Sequence, residues 1–221
     1  MKNSLIFFDI NGTIVKRDKR TDIPYSEAVD EFLGISKGMK GVDTSARSDK
    51  DVFMEVLENC GKSFSEDLWR GFLRVYEEKL IKFRDTDVWR ANADAVEFIK
   101  KLHKEGCRLS LISGELSIGA EYKLKKIGVW DFFPTGGFGE DGLKRFDIAD
   151  TAEKKAIDYY GEVPKKKFVI GDTVLDIKTA RYLNARVVSI TTGSHSRDKL
   201  KNENPDYIVD RFDELDTEIF R

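Results

Sequence analysis

The sequence predicts an α/β fold: a doubly wound parallel sheet with an all-helical insertion after its first strand. Two apolar runs, Leu5-Ile6-Phe7-Phe8 and Phe168-Val169-Ile170, stop abruptly at Asp9 and at Gly171-Asp172. Runs of that kind read as strands buried on both faces of a parallel sheet. The segment from about Tyr25 to Phe83 carries helical spacing and no strand pattern. From Asn92 onward helical and strand patterns alternate with short connections, which is the signature of repeated βα units.

Taken in order, the first strand is Leu5 to Phe8, and the chain leaves the sheet at Asp9. The insertion holds three apolar series at helical spacing: Val29, Phe32 and Leu33; Val52, Phe53, Val56 and Leu57; then Leu68, Phe72, Val75, Tyr76 and Leu80. Ahead of the second lies the polar turn Gly41-Val42-Asp43-Thr44-Ser45-Ala46-Arg47-Ser48-Asp49, where Ser48 or Asp49 suits an N-cap. There follow a helix from Ala93 to His103, a strand from Arg108 to Ile112, and a helix from Ile118 to Ile127. The series closes with a helix from Ala149 to Tyr160, a strand from Lys167 to Ile170, a helix from Leu175 to Leu183, strands at Val187 to Ile190 and Tyr207 to Val209, and a final helix near Leu215. The domain boundaries that result are 1–15 and 88–221 for the core and 16–87 for the insertion.

Composition narrows the partner. With 221 residues the chain can bury one substantial core plus a modest insertion. Lys+Arg 38 against Asp+Glu 40 leaves a net charge of -2, so no basic field recruits nucleic acid or an anionic membrane. A small molecule is the expected partner. The apolar run behind Met1-Lys2-Asn3 is too short for a signal peptide, and no stretch reaches transmembrane length. Cys60 and Cys107 lie far apart without metal-type spacing, as two reduced thiols of a cytoplasmic protein would.

In an open α/β sheet ligands bind outside the carboxyl ends of the strands, so Asp9 and Asp172 can share one crevice. Paired carboxylates there suit a hard cation such as Mg²⁺. The runs Phe7-Phe8-Asp9-Ile10-Asn11-Gly12-Thr13 and Ile170-Gly171-Asp172-Thr173-Val174-Leu175-Asp176 resemble the first and last signature motifs of the haloacid dehalogenase-like hydrolase superfamily, in its phosphoglycolate phosphatase-like branch. Leu109-Ser110-Leu111-Ile112-Ser113-Gly114 resembles the second motif, and Gly142-Leu143-Lys144-Arg145-Phe146 offers two candidates for the third, a Lys or Arg. The resemblance spans nearly the whole chain and implies a Rossmann-like core with a helical cap.

It also implies roles. Asp9 would be the nucleophile of a Mg²⁺-dependent phosphatase, forming an aspartyl phosphate that divides one hard displacement into two easier ones. Asp9, the backbone carbonyl of Asn11, and Asp172 would hold Mg²⁺, with Asp176 beside them or one layer out. Gly12, Thr13, Ser113 and Gly114 would bind phosphoryl oxygens, and Lys144 or Arg145 would offset their charge. Arg145 is the slight preference, because its place just before Phe146-Asp147-Ile148 resembles a branch variant in which Arg precedes the next helix; most family members have Lys-Pro here. The turn bearing Arg47 resembles the loop by which the cap reaches the substrate, where a guanidinium reads phosphate or carboxylate in a bidentate way; a solvated surface arginine is the alternative.

Asn11 departs from the pattern. The family's phosphatases usually carry a second aspartate there, which protonates the leaving alcohol and later deprotonates water. A carboxamide trades no protons near neutral pH, so a general acid–base contribution of roughly 10²–10⁴-fold is missing. Three readings stay open: an engineered Asp→Asn replacement, a slow phosphatase favouring good leaving groups such as acyl or aryl phosphates, or a phosphate-binding protein with weak catalysis. A dehalogenase is disfavoured by the Asp172–Asp176 pair, and a sugar-phosphate mutase by the missing acid. The expected assembly is a monomer or small homo-oligomer. His103 and His195 read as surface residues, with His195 on the crevice side. The lysine runs 123–126 and 165–167 read as solvated faces. Trp69, Trp89 and Trp130 read as core or cap-interface anchors.

Overall fold

A computed structural model describes residues 4–44 and 47–221. Met1 to Asn3, and Ser45 and Ala46 of the polar turn, lie outside them. The first strand, β1, is Ser4–Phe8. Three helices follow without a strand: α1 Ile23–Leu33, α2 Asp49–Asn59 and α3 Glu66–Phe83. The alternating part begins with α4 Ala95–Lys104, β2 Arg108–Ile112, α5 Ser117–Lys126 and β3 Gly136–Gly137. It continues through α6 Arg145–Tyr160, β4 Lys166–Gly171, α7 Val174–Tyr182, β5 Arg186–Ile190, α8 Arg197–Lys201 and β6 Tyr207–Val209.

The six strands form one parallel sheet in the order β3-β2-β1-β4-β5-β6. Alternation along β1 explains why it sits in the middle. Ile6 and Phe8 join a cluster with Ile99 and Leu102 of α4, Leu124 of α5 and the C-terminal Phe212 and Phe220. Leu5 and Phe7 point the other way, into a cluster with Ala152 of α6, Ile177 of α7 and Leu200 of α8. A strand apolar on both faces must be covered on both, so helices pack on both sides. Phe8 is fully buried with its ring 5.6 Å from that of Phe133, and truncating such a residue to Ala costs about 3–5 kcal/mol.

The inserted helices have a core of their own. Phe53 stacks on Phe72 at 4.3 Å, Phe72 lies parallel to Tyr76 at 6.0 Å, and Trp69 and Trp89 are buried in the same cluster. The two chain crossings into this unit run side by side: Val15 bridges to Ala91, and the Lys16 amide donates to the Arg90 carbonyl at 2.7 Å. Trp130 packs partly buried against the sheet's other cluster.

The structure departs from the sequence expectations at several elements, among them the short helix α8, which falls where the sequence marked none. The strand β3 has only two residues, both glycine, so no apolar run marks it. The closing helix is instead two 3-10 turns, Phe212–Glu214 and Thr217–Phe220, separated by extended backbone at Leu215 and Asp216, with Phe212, Leu215 and Phe220 all in one cluster. Helix α6 begins at Arg145, well before Ala149: Lys144 is extended, and its amide donates to Asp147 Oδ2 at 3.2 Å, which starts the helix earlier.

Candidate active site

The chain winds from β1 toward β2 and β3 on one side and from β4 toward β5 and β6 on the other. The carboxyl ends of the adjacent strands β1 and β4 therefore form the switch-point crevice. Asp9 follows β1, its amide donating to the Ile170 carbonyl at 2.9 Å. Beyond it Ile10 to Val15 fold into a tight turn, with the Gly12 amide on the Val15 carbonyl at 2.8 Å. Gly12 has φ +92°, and a Cβ there would stand 2.7 Å from Asp172 Oδ2, so the close approach of turn and carboxylate requires glycine. Asn92 Nδ2 donates to the Gly12 and Thr13 carbonyls at 2.8 Å each, and Thr192 Oγ1 to Gly12 O at 2.7 Å.

After β4, Thr173 caps α7 and Asp176 reciprocates, accepting from the Thr173 amide at 3.0 Å through Oδ2. Asp176 is thus held by a capping box with Oδ1 facing its neighbours. Asp172 accepts from the Ser194 amide at 2.7 Å and from Thr13 Oγ1 at 3.2 Å. One oxygen from each of Asp9, Asp172 and Asp176 lies within 4.8 Å of the others. Arg145, from the start of α6, donates through Nη2 to Asp9 Oδ1 at 3.1 Å and to Asp176 Oδ1 at 2.6 Å. Asp9 Oδ2 has no protein partner among the described hydrogen bonds.

Three carboxylates facing one guanidinium leave two negative charges in excess in a largely buried place. Burial first, and then the neighbouring Asp176, hold the Asp9 carboxyl well above its usual range. Burial and Asp176 push Asp172 up to about 6. Oxygen donors, close spacing and an excess of two negative charges fit a hard divalent cation.

The crevice opens into a cavity of about 740 Å³ beneath the inserted helices. Asp9, Asn11, Ser113, Gly114, Arg47 and Arg145 line it, together with Asp172 and Asp176. The insertion closes on the core at Gly114, where the Asp49 amide donates to the Gly114 carbonyl at 2.8 Å and a Cβ would meet the Arg47 carbonyl at 2.4 Å. Ser48 caps α2, its Oγ accepting from the Asp51 amide at 3.2 Å.

Several sequence-predicted residues stand elsewhere in the site. Lys144 is exposed and does not line the cavity; Arg145 does, because α6 starts between them and turns only the second inward. Gly12 and Thr13 build the wall rather than line the cavity: their amides are donated to Val15 and Ile10, and the Thr13 hydroxyl goes to Asp172. Arg47 lines the cavity, yet its guanidinium is engaged by Asp51 at 2.6 Å and by Glu55. His195 also lines it, and its Nδ1 accepts the Val174 amide at 3.0 Å; burial and Lys199 lower its pKa. His103 is exposed, Cys60 is half-buried and Cys107 buried, and burial pushes the Cys107 thiol up to about 11.

Two residues to which the sequence assigned no part in the site matter here. Glu115 and Lys123 form an ion pair at 2.5 Å, with side chains 6 % and 4 % exposed, on the wall beside Asn11. The placement of Lys123 corrects the solvated-face reading of 123–126: it lies in phase with Gly119, Ala120 and Leu124 on the buried side of α5. That phase is the signal a sequence could have given. Asp49, another wall residue, accepts from the Leu116 amide at 2.9 Å, and burial and Glu115 raise its carboxyl to about 8.

Residues 6–181 match the family model described as haloacid dehalogenase-like hydrolase, and residues 149–215 match a second model of HAD-hydrolase-like proteins. A protein of Caldanaerobacter subterraneus named "Putative pyrophosphatase PpaX" is 25% identical over 95% of this chain and 91% of its own length. A phosphoglycolate phosphatase of Nitrosococcus oceani is 22% identical over 96% of this chain and 94% of its own. Among solved structures, a hydrolase from Pseudomonas syringae superposes with a TM-score of 0.66 at 20% identity, covering 93% of this chain and 92% of that one. A haloacid dehalogenase-like family protein of Streptococcus pneumoniae gives 0.61 at 20% identity, covering 95% of each.

Proposed function

The chain belongs to the haloacid dehalogenase-like hydrolase family, and from that premise we propose that it is a Mg²⁺-dependent phosphatase that hydrolyses a small organic phosphate through phospho-Asp9. The observation that carries the reading is the cluster of Asp9, Asp172, Asp176 and Arg145 at the switch point, under a helical cap. Asp9 Oδ2 attacks phosphorus, while Arg145 holds the other oxygen and keeps the carboxylate aimed. Ser113 and Gly114 stand where phosphoryl oxygens would be received, and the cap keeps water from the first step. Mg²⁺ held by Asp9, the Asn11 carbonyl and Asp172, with Asp176 beside them, would neutralise phosphoryl charge when bound. Residues 16–87 act as the cap domain. A cytoplasmic site of action belongs to the same reading; among the described residues no helix is long and apolar enough to cross a membrane.

The test is release of inorganic phosphate from a panel of aryl, acyl and alkyl phosphates, phosphoglycolate and pyrophosphate, with Mg²⁺ and with chelator. Turnover that needs Mg²⁺ supports the reading; none above the blank on any substrate overturns it. A second reading, a phosphate-binding protein with weak catalysis, is favoured by one observation: Asn11 stands where an acid is usual, with its carboxamide tied to Glu115 and Lys123. Tight binding of inorganic phosphate without turnover would select it.

A further inference from the structure

Beside the nucleophile lies a polar wall that the roles above leave unused. Asn11 Nδ2 donates to Glu115 Oε2 at 3.0 Å, and Lys123 Nζ donates to Asn11 Oδ1 at 3.1 Å and pairs with Glu115 Oε1 at 2.5 Å. The three side chains close a ring. An ammonium only donates and a carboxylate only accepts, so the orientation of the Asn11 carboxamide is dictated by its neighbours. An aspartate at position 11 would instead face Glu115 carboxylate to carboxylate at that spacing. The carboxamide and the ion pair are therefore matched parts of one arrangement.

We propose that Lys123 is a further catalytic residue, whose ammonium donates a hydrogen bond to the oxygen that leaves phosphorus. The inference rests on the phosphatase reading above. An ammonium has three donors, and Glu115 and Asn11 take two of them. Lys123 lines the cavity, leaving the third for a ligand. Its near-complete burial keeps water from competing. Asn11, to which it is bonded, stands two residues beyond Asp9, and all three side chains line the same cavity.

In the step itself the Asp9 Oδ2–P bond forms and the bond from phosphorus to the leaving oxygen breaks. The electron pair stays on that oxygen, which departs as an anion held by Lys123 and takes its proton from water. Lys123 remains an ammonium paired with Glu115 throughout. A donor aimed at developing charge in a water-excluded site contributes roughly 10²–10³-fold to kcat. The contribution grows with the charge left on oxygen, so poor leaving groups gain most.

The experiment compares the wild type, Lys123→Met and Lys123→Arg on alkyl phosphates and nitrophenyl phosphates, with calorimetry of inorganic phosphate binding and thermal denaturation alongside. Lys123→Met should lower kcat roughly 10²–10³-fold on alkyl phosphates and far less on nitrophenyl phosphates, with phosphate affinity changed only a few-fold. Lys123→Arg, which keeps a donor and the charge, should recover part of the loss, and it serves alone should the Met variant not fold. An equal loss on both substrate classes, or none on either, overturns the role of Lys123 while leaving the phosphatase reading intact. A wild type that hydrolyses no phosphate at all overturns the phosphatase reading first, and this inference with it.

Discussion

Replacing Arg145 with Met isolates the electrostatics on which the site depends. The guanidinium side chain is 9 % exposed and stands 3.1 Å from Asp9 and 2.6 Å from Asp176. At an effective dielectric of 20, a contact near 3 Å is worth about 5 kcal/mol of gross attraction, most of which desolvation offsets. The loss of one partner is not offset in that way. It leaves Asp9, Asp172 and Asp176 facing one another without a cation, and breaking a buried pair costs about 3–5 kcal/mol. Protonation sets a ceiling on the cost. A carboxyl whose folded pKa is raised holds a proton that the unfolded chain has released, so its stability is complete at low pH and falls as pH rises toward the folded pKa. Asp9 and Asp172 are raised already, and removing Arg145 raises Asp9 further. The variant should therefore lie nearer the wild type at about pH 5, where Asp172 still holds its proton, than at about pH 8, where Asp172 has released it. Mg²⁺ at about 100 times its Kd should restore about 2.7 kcal/mol, since it binds the folded form alone. Urea unfolding followed by tryptophan fluorescence, at both pH values with chelator or Mg²⁺, reads all four corners. A variant as stable as the wild type near pH 8 in chelator would refute the reasoning.

Asp9→Asn should abolish phosphate release while raising Tm by a few degrees, because the amide still accepts from Arg145 and one repelling carboxylate is gone; scanning calorimetry beside the phosphate assay checks both. Asp172→Ala should remove most Mg²⁺ affinity by titration calorimetry, and wild-type affinity should climb as pH passes about 6, where Asp172 gives up its proton. Unchanged Mg²⁺ binding in the variant would rule out Asp172 as a ligand. Asp49, raised to about 8, should make stability decline between about pH 4 and that value, and Asp49→Asn should flatten the decline in urea midpoints. An identical slope in the variant would assign it to other groups.

Much of this protein is written in short stretches of its chain. Leu5 to Phe8 and Phe168 to Ile170 are apolar on both faces, which places them in a covered parallel sheet and puts Asp9 and Asp172 where their strands end. The aromatic residues Phe53, Trp69, Phe72 and Tyr76 recur at helical spacing and do pack into one inserted core. These readings depend on contacts between residues close in sequence, or on patterns that burial imposes locally. Tertiary structure decided the rest. Whether Lys144 or Arg145 reaches Asp9 depended on where α6 begins, and the capping of that helix by Asp147 fixed it. The strand β3 exists because two glycines lie against Leu111 and Ile112, with no pattern of their own. Lys123 looked like one more surface lysine until α5 turned it toward Glu115 and Asn11, residues 8 and 112 positions away in the chain. Helical phase put Lys123 on the buried side of α5, but a charge can be buried only where the fold brings its partners, and only the fold brought Asn11.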